Sequence, residues 1–312
     1  MRAVRVRRAT GAVVSAVVLG ALPAVATTDA TARPAATAPL AAVTATATDS
    51  VRHIALQGAV NVRDLGGYRT DHGRHVRYGQ VFRADALGRL TDADVSDLSA
   101  LGLRTVVDLR VPLEVQRDGA DRLPAGATVV SRPVDDLGLY GRIMAAIGSK
   151  DPVEQQELLG DGKAEQLMRD IYRTFVTSPD SRRQFAGTLR DLANRKQAPL
   201  LYHCTSGKDR TGWMSYLLLR AVGVPAETAE RDYLLSNDFR SEADRASREQ
   251  LRKAGLMENP DLLIPLQEVR GDYLDAALDQ AEHDYGSLRG YLTEGLGLDT
   301  PTLAKLRSRL VK

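Results

Sequence analysis

Residues 203–212 read His-Cys-Thr-Ser-Gly-Lys-Asp-Arg-Thr-Gly, and their cysteine is the only one in a chain of 312 residues. The run Pro-Leu-Leu-Tyr at residues 199–202 is typical of a buried strand, and the apolar residues 213–219 indicate a helix. A strand, a glycine-containing loop and a helix N-terminus together bind anions, because backbone N–H groups and the positive end of the helix dipole meet there. The stretch therefore predicts an anion-binding loop.

Two side chains of this loop suit the cleavage of a phosphate ester. Cys204 lies where a thiolate is stabilised, and the thiolate is the nucleophilic form of cysteine. Arg210 carries a planar head with five donors that can hold two phosphate oxygens at once. The alternative is that Cys204 is a small core hydrophobe, as isolated cysteines commonly are. That alternative leaves the cluster just downstream unexplained, namely Gly207, Lys208, Arg210 and Thr211.

The rest of the loop supplies the predicted substrate-binding groups. The backbone from Thr205 and Ser206 onward offers N–H donors to the phosphate oxygens, and Gly207 is expected where φ is positive or a side chain would block close approach. Lys208 places a second cation beside the phosphate, which favours substrates with several phosphates, such as phosphoinositides or inositol phosphates. Alternatively, Lys208 pairs with a neighbouring aspartate.

This loop resembles the Cys-x5-Arg signature of the protein tyrosine phosphatase superfamily, and its form is similar to that of the bacterial secreted tyrosine/serine protein phosphatases. Further matches follow in the family's order, at residues 61–68 (Asn-Val-Arg-Asp-Leu-Gly-Gly-Tyr), 81–85 (Val-Phe-Arg-Ala-Asp), 107–110 (Val-Asp-Leu-Arg), 232–237 (Asp-Tyr-Leu-Leu-Ser-Asn) and 285–291 (Tyr-Gly-Ser-Leu-Arg-Gly-Tyr). The resemblance runs from about residue 55 to the C-terminus. It implies a tyrosine-phosphatase-like fold and a Thr211 hydroxyl that donates to the thiolate.

The resemblance also implies a helical lid over the active site, formed by residues 238–268. Its apolar underside would come from Leu251, Leu256, Met257, Leu262 and Leu263. The alternative is that the charged residues 241–253 are simply the solvated face of a helix.

A general acid must protonate the leaving alkoxide, and three aspartate positions are candidates. Asp209 lies inside the loop and Asp108 lies at a predicted strand end, and the resemblance links both to acid catalysis. Asp135-Asp136, after a turn, is similar to the mobile acid loop of eukaryotic tyrosine phosphatases, and Asp135 ranks third. Each could instead be an ordinary turn aspartate that accepts backbone hydrogen bonds or pairs with an arginine such as Arg110.

Two other positions have predicted structural roles. His203 is expected to orient the loop through hydrogen bonds rather than to titrate in the reaction. Arg63 and Asp64 are expected to form a buried pair that braces the loop, with direct phosphate contact by Arg63 as the alternative. No His/Cys/Asp cluster has metal-ligand spacing and no glycine fingerprint for a nucleotide follows a strand, so the reaction is expected to need no metal and no cofactor.

The N-terminus carries a separate signal. Four arginines, an apolar core at residues 12–22 and Ala-Val-Ala at 24–26 read as a secretory signal peptide over residues 1–26, and the apolar core is too short to span a bilayer. Its removal changes the formal net charge from +2 to −2, which argues against nucleic acid as a partner. Residues 27–50, rich in Ala and Thr, are predicted to be a disordered linker. The mature protein is therefore expected outside the cell and without stable membrane insertion.

Residues 51–312 are predicted to form one phosphatase domain with helical insertions. Apolar runs predict strands at residues 54–56, 81–83, 105–108, 127–130 and 200–202, and a helix starts at Thr91 and ends near Gly102. Helices are also predicted over 138–195 and through most of the chain after the loop, with a long one over 266–285. This alternation indicates an α/β fold with a central, mainly parallel sheet flanked by helices.

These features together predict a secreted, cysteine-dependent phosphatase with phosphotyrosine proteins as substrates. Activity on phosphoserine, phosphothreonine and phosphoinositides is an extension of that hypothesis. The alternative is a binding protein on the same fold that holds phosphorylated ligands without cleaving them.

Overall fold

The computed structural model describes residues 52–312, which build one six-stranded sheet surrounded by helices. The strands are β1 (Arg52–His53), β2 (Arg63–Asp64), β3 (Val81–Ala84), β4 (Thr105–Asp108), β5 (Thr128–Ser131) and β6 (Leu200–His203). Their spatial order is β1-β2-β3-β6-β4-β5. The last four strands in this order are parallel to one another. Strand β2 pairs antiparallel with β3, and β1 pairs antiparallel with β2. The prediction of a central, mainly parallel sheet is confirmed.

Helices make up most of the remaining chain. They are α1 (Asp92–Ser99), α2 (Pro112–Asp118), α3 (Leu139–Ser149), α4 (Pro152–Leu159), α5 (Lys163–Thr177), α6 (Pro179–Ala193), α7 (Arg210–Val222), α8 (Ala226–Lys253), α9 (Ile264–Gln267), α10 (Gly271–Tyr285), α11 (Leu288–Gly290) and α12 (Thr300–Leu310). Single 3-10 turns cover Arg195–Gln197 and Pro260–Leu263, and a π-turn covers Tyr291–Gly295. Proline starts α2, α4 and α6, where its missing N–H leaves no hydrogen bond unmade.

The two faces of the sheet carry cores of different size. Leu201 of β6 points to the smaller core, where it joins Leu98 of α1. Leu200 and Tyr202 point to the opposite face, because side chains alternate along a strand, and join the larger helical core. That larger core includes Trp213 of α7, which is fully buried. The loop of residues 204–209 thus connects the central strand β6 to α7, a helix in which nearly every residue is buried.

The register of the central strands aligns their carboxyl ends. His203 at the end of β6 lies opposite Ala84 of β3 and Asp108 of β4. The loop that follows β6 is therefore flanked by the segments that follow β3 and β4. This edge of a parallel sheet is where ligands bind in such folds.

Most predicted elements are present, with shifts at their ends. The helix started by Thr91 is α1, and Thr91 and Asp94 form a reciprocal capping box at its start. The predicted strand at residues 54–56 is wrong, since the strand ends at His53. The predicted helix over 266–285 is interrupted, because α9 ends at Gln267 and α10 begins at Gly271.

The predicted signal peptide and linker, residues 1–50, lie outside the described residues. Among residues 52–312, no helix has both the length and the apolar character needed to cross a membrane.

Candidate active site

The loop of residues 204–209 leaves the carboxyl end of β6 and enters α7 at Arg210. The carbonyl oxygen of Thr205 accepts a hydrogen bond from Ala86 N at 3.0 Å, which ties the loop to the segment after β3. Gly207 has a φ of +64°, and a Cβ there would lie 2.5 Å from the carbonyl oxygen of Ala84. Only glycine fits this turn, for both of the reasons that the sequence suggested.

The carbonyl oxygens of the loop are held from outside by three side chains. Asn61 Nδ2 donates to the carbonyl oxygens of Ser206 and Gly207 at 3.3 and 3.0 Å. Arg83 Nη2 donates to the Gly207 carbonyl at 2.8 Å, and Arg240 Nη1 donates to that of Ser206 at 3.2 Å. Between Thr205 and Asp209, no backbone N–H donates to another part of the chain that the structure describes. A row of unpaired N–H groups in a buried loop is an anion-binding arrangement.

Arg210 is held by an acidic residue that the sequence analysis did not single out. Glu114, in the first turn of α2, accepts from Arg210 Nη1 at 2.6 Å and Nη2 at 2.5 Å, and it also accepts from the Thr205 hydroxyl. Burial acts to raise the pKa of Glu114, but the charge and hydrogen bonds of Arg210 outweigh it and lower that pKa. The pair therefore stays charged, and it fixes the guanidinium in the cavity that contains Cys204.

A charged network lies beneath the loop. His203 is fully buried, its Nε2 lies 3.0 Å from Asp121 Oδ2, and its Nδ1 lies 3.2 Å from the carbonyl oxygen of Cys204. Burial acts to lower the pKa of His203, but the Asp121 carboxylate outweighs it and the net shift is upward. A protonated ring donates to both oxygens. This geometry agrees with the orienting role predicted for His203.

Asp108 belongs to the same network and points away from the cavity. Its Oδ1 accepts from Arg110 Nε at 3.0 Å, and its Oδ2 accepts from Arg110 Nη2 at 2.8 Å. It is not among the side chains that line the cavity over Cys204. Ligand atoms of Asp108, Asp121 and His203 lie within 4.8 Å of one another, as in a metal site. Arg110 already places its positive charge between the two carboxylates, since its Nη2 lies 2.8 Å from each.

Asp209, the residue before α7, lines the cavity and has two partners. Lys208 Nζ lies 2.8 Å from its Oδ2, and the Tyr172 hydroxyl donates to its Oδ1 at 3.0 Å. Lys208 Nζ also donates to the carbonyl oxygen of Glu268 at 3.2 Å. The pairing of Lys208 with a neighbouring aspartate is thus the arrangement observed in the structure, and the same lysine reaches the segment beyond α9.

The two aspartates of the third acid candidate differ in their surroundings. Asp135 is exposed, whereas Asp136 is buried and lines the same cavity as the thiol. The oxygens of Asp136 accept from Gly138 N and Tyr140 N at 3.0 and 3.1 Å. Burial raises the pKa of Asp136, and the nearby Arg210 only partly offsets this. Of this pair, the sequence favoured Asp135 as the candidate acid, whereas the side chain that lines the cavity is that of Asp136.

The N-terminal motif braces the loop through a partner that is distant in sequence. Arg63 Nε lies 3.0 Å from Asp232 Oδ1, and Arg83 Nη1 lies 2.6 Å from Asp232 Oδ2. Asp64 instead accepts backbone hydrogen bonds from Gly66 and from Gly79. The predicted Arg63–Asp64 pair is wrong, because consecutive side chains of a strand point to opposite faces. Asp232 of α8 lies on the face of Arg63.

Thr211 is fully buried in the first turn of α7. Its hydroxyl oxygen has no hydrogen-bond partner within residues 52–312. A buried hydroxyl without a partner is costly unless another group accepts its proton. The position is consistent with the predicted donation to the thiolate, which stays a prediction.

The C-terminal half of α8 and the returning residues 254–268 cover the loop, as the predicted lid. Leu251, Leu263 and Leu266 of this segment face Leu139 and Ile143 of α3 across the cavity. Cys204 is 1% exposed, and the cavity has a volume of about 60 Å³. That volume holds a few waters and is too small for a phosphorylated side chain. Part of the lid must therefore move before a phosphorylated side chain can reach Cys204.

The underside of the lid was predicted only in part. Of the predicted residues, Leu251 and Leu263 line the cavity. Leu266 also lines it, although it was not among the residues predicted for the underside. Leu256 and Met257 are buried in the main core instead, and Leu262 is half-buried against it.

Two further residues of the site escaped the sequence analysis. Glu114 had a signal, since it occupies the third position of a helix that Pro112 starts just after the Asp-Leu-Arg motif. Arg240 had none, because one arginine in a charged helical segment is indistinguishable from a solvated residue. Arg240 is nonetheless 1% exposed and lies 2.6 Å from Asp244.

Comparison with known proteins agrees with this geometry. Residues 54–312 match the tyrosine phosphatase family. The triple specificity protein phosphatase of Mycobacterium tuberculosis is 32% identical over 278 residues, which cover 82% of this chain and 98% of that protein. A Cupriavidus necator protein, which its name assigns provisionally to the tyrosine-protein phosphatases, is 32% identical over 81% of this chain and 87% of its own length. A tyrosine-protein phosphatase of Nostoc commune is 29% identical over 73% of each chain. The chain belongs to the tyrosine phosphatase family.

Proposed function

We propose that the chain is a secreted, cysteine-dependent phosphatase that cleaves phosphate monoesters through a cysteinyl-phosphate intermediate. Membership of the family makes it a phosphoric monoester hydrolase of the tyrosine phosphatase type. The observation that supports the mechanism is the loop after β6. Its single cysteine, its unpaired N–H groups and the Arg210 held by Glu114 surround one small cavity.

In the first step the Cys204 thiolate attacks phosphorus, so that an S–P bond forms as the ester P–O bond breaks. The three equatorial oxygens carry the negative charge, and the N–H groups of the loop and Arg210 stabilise it. Water then attacks the cysteinyl-phosphate, which releases phosphate and restores the thiolate. The Thr211 hydroxyl donates to the sulfur as it leaves.

The leaving oxygen needs a proton, and Asp136 is our assignment for the acid. Asp108 and Asp209 each face a cation already, at Arg110 and Lys208 respectively. Asp136 is in no ion pair within 4.0 Å among residues 52–312, and burial raises its pKa more than the charge of Arg210 lowers it. A carboxyl group with a raised pKa keeps its proton to higher pH, which suits a general acid. In the second step the resulting carboxylate accepts a proton from the attacking water.

The proposed substrates are phosphotyrosine proteins, with phosphoserine, phosphothreonine and phosphoinositides as additional classes. Lys208 supports this range, because its ammonium group lines the cavity with Arg210 and, although it pairs with Asp209, brings a second cation to the phosphate. The name of the mycobacterial relative describes a phosphatase of triple specificity. Assays with a phosphotyrosine peptide, a phosphoserine peptide and a phosphoinositide, each compared with Lys208→Met, test the range.

Export rests on the sequence of residues 1–26, whose basic, apolar and small-residue segments follow each other as in a signal peptide. The test is to find the full chain in the culture medium and a chain without residues 1–26 in the cytoplasm. Retention of the full chain in the cell would contradict this part of the proposal.

The nucleophile is tested by hydrolysis of an aryl phosphate in the presence of a metal chelator. Cys204→Ser should abolish turnover while the protein still binds phosphate, because the N–H groups and Arg210 remain. Equal rates for the two proteins would refute the cysteinyl-phosphate mechanism.

The acid is tested with Asp136→Asn, Asp108→Asn and Asp209→Asn on substrates with good and poor leaving groups. The true acid matters chiefly for the poor leaving group. Asp136→Asn should therefore lose about 10² to 10³-fold on an alkyl or phenyl phosphate and much less on a nitrophenyl phosphate. The same selective loss in Asp209→Asn or Asp108→Asn, and not in Asp136→Asn, would reassign the acid.

A further inference from the structure

A second cleft lies at the edge of the sheet opposite the catalytic loop. Gln80, Arg104 and Pro199 line it just before β3, β4 and β6, and Ser308 and Arg309 of α12 close its side. Its volume is about 430 Å³, which is within the range of small-molecule sites. β6 has four residues, so about 13 Å of strand separates this cleft from the loop. The cleft is therefore distinct from the site that contains Cys204.

The charge of this cleft is unbalanced. The cleft is lined by Arg77, Arg104, Arg195 and Arg309, and by no aspartate or glutamate of the part of the chain that the structure describes. Within residues 52–312, the guanidinium groups of the first three make no hydrogen bond or ion pair, and all three residues are exposed. By contrast, Arg210 at the catalytic loop has a carboxylate partner. Four like charges around one concavity attract an anion strongly and repel each other without one.

Arg309 differs from the other three arginines of the cleft because it is buried and held by hydrogen bonds. It is 7% exposed, and its Nη1 donates to the carbonyl oxygens of Leu192 and Asn194 at the end of α6. Its Nη2 is buried and has no hydrogen-bond partner in the described chain. Burial, followed by the positive charge of Arg195, lowers the pKa of Arg309. Nη1 therefore caps the helix, while Nη2 is left without an acceptor.

We propose that this cleft binds a small polyanion carrying several phosphate groups, with Arg309 as its buried anchor. Arg309 Nη2 can donate to one phosphate oxygen, and each of the three exposed guanidinium groups matches two oxygens of a further phosphate around it. Ser308 and Gln80 add hydroxyl and amide groups suited to a polyol. Among residues 52–312, no aromatic side chain lines the cleft for stacking on a base, which favours a phosphorylated polyol over a nucleotide.

The test is calorimetric titration of inositol hexakisphosphate into the full chain carrying Cys204→Ser, so that the probe is not consumed. The double variant Arg104→Gln/Arg195→Gln should weaken binding at least tenfold, and Arg309→Met should weaken it further. Added salt should weaken binding of the parent far more than that of the double variant. Arg289→Gln, an exposed arginine outside the cleft, is the matched control and should bind as the parent does.

The catalytic loop is the competing site for this probe, and Arg210→Met separates the two. Binding that survives Arg210→Met and falls with the cleft variants supports the proposal. Binding that falls with Arg210→Met and not with the cleft variants overturns it, as does the absence of binding to the parent. Because Arg309→Met also removes the cap of α6, the decision rests on Arg104 and Arg195, whose exposed side chains are not needed for folding.

Discussion

At the scale of single residues, the position of Arg210 depends on one buried carboxylate. Glu114 accepts hydrogen bonds from both terminal nitrogens of Arg210 and from the Thr205 hydroxyl, so it connects α2 to both ends of the loop. A guanidinium group that is held in place before substrate arrives loses little conformational entropy when phosphate binds. Glu114 is thus a positioning residue that acts through Arg210.

Glu114→Gln tests this role. One carboxylate oxygen becomes an NH2 group that faces the N–H groups of Arg210, so the arginine loses one hydrogen bond and its balancing charge. We expect kcat/KM to fall about 10²-fold, with most of the loss in kcat, because the guanidinium is displaced where charge develops. Steady-state kinetics on an aryl phosphate checks this.

The control for this substitution is Glu154→Gln, which makes the same change at an exposed position of α4. Wild-type kinetics in Glu114→Gln would show that Arg210 holds its place without the carboxylate. A fall in the melting temperature with unchanged kinetics of the folded fraction would give Glu114 a purely structural role.

The raised pKa of Asp136 gives a second prediction at this scale, for the dependence of kcat on pH. An acid works only while protonated, so activity falls as the pH rises through the pKa of Asp136. Because burial raises that pKa, this fall should come at higher pH than for an ordinary carboxyl group. With a poor leaving group, Asp136→Asn should remove the fall at high pH. A basic limb that persists unchanged in Asp136→Asn would show that another group titrates.

Among the structural elements, the loop and its flanking strand and helix were predictable from sequence, and the pairing around them was not. The glycine at 207 and the apolar runs on both sides are local signals, and the structure agrees with them. The partner of Arg63 is Asp232, which lies 169 positions away, and no local pattern connects the two. The choice between Asp135 and Asp136 has the same origin, because burial distinguishes the two residues and sequence does not.

A buried amide is one of the contacts that attach the lid to the helical layer. Gln155 of α4 donates through Nε2 to the carbonyl oxygens of Ala146 at 3.0 Å and Leu256 at 2.8 Å. Leu256 lies just beyond the end of α8, where the lid turns back. This contact fixes the returning segment against the helices that form the other wall of the cavity.

Gln155→Ala should loosen the returning segment, since the Leu256 carbonyl then loses its buried donor. We expect faster amide hydrogen exchange over residues 254–268 and a higher kcat/KM for a phosphopeptide relative to a small aryl phosphate. Gln156→Ala, the exposed neighbour in the same helix, is the control. Exchange at the wild-type rate in Gln155→Ala would show that the other contacts of the lid hold it without this amide.

At the scale of the whole molecule, one buried carboxylate joins three distant parts of the chain. Asp232 of α8 accepts from Arg63 of β2, from Arg83 of β3 and from the Tyr68 hydroxyl. Removing one member of a buried ionic cluster leaves the others charged without compensation. The sheet edge, the loop support and the lid helix therefore share a single electrostatic contact.

Asp232→Asn should lower the free energy of unfolding by about 3–5 kcal/mol at neutral pH. Burial acts to raise the pKa of Asp232, but Arg63 and Arg83 outweigh it, and the folded-state pKa is lowered. Its stabilising effect is therefore full above the ordinary aspartate pKa of about 4 and is lost as the pH falls below it. Urea unfolding at several pH values checks both statements.

The control is Asp71→Asn, an exposed aspartate whose loss should change the stability by less than about 0.5 kcal/mol. A difference between wild type and Asp232→Asn that stays constant down to pH 2 would contradict the assignment of the cluster as an ionic one.

Helix α8 has a mechanical consequence for the whole molecule. It is 28 residues long, about 42 Å, and is clamped near its start by Asp232, while its far end covers the cavity with Leu251. No glycine or proline interrupts it, and the first glycine after it, Gly255, has a φ of +63°. Helix α8 is therefore rigid, and Gly255, just beyond its end, is the first position where the backbone of the lid can bend. The part of the lid that opens is therefore residues 256–268, whereas α8 keeps Leu251 in place over the cavity and sets how far a substrate must extend to reach Cys204.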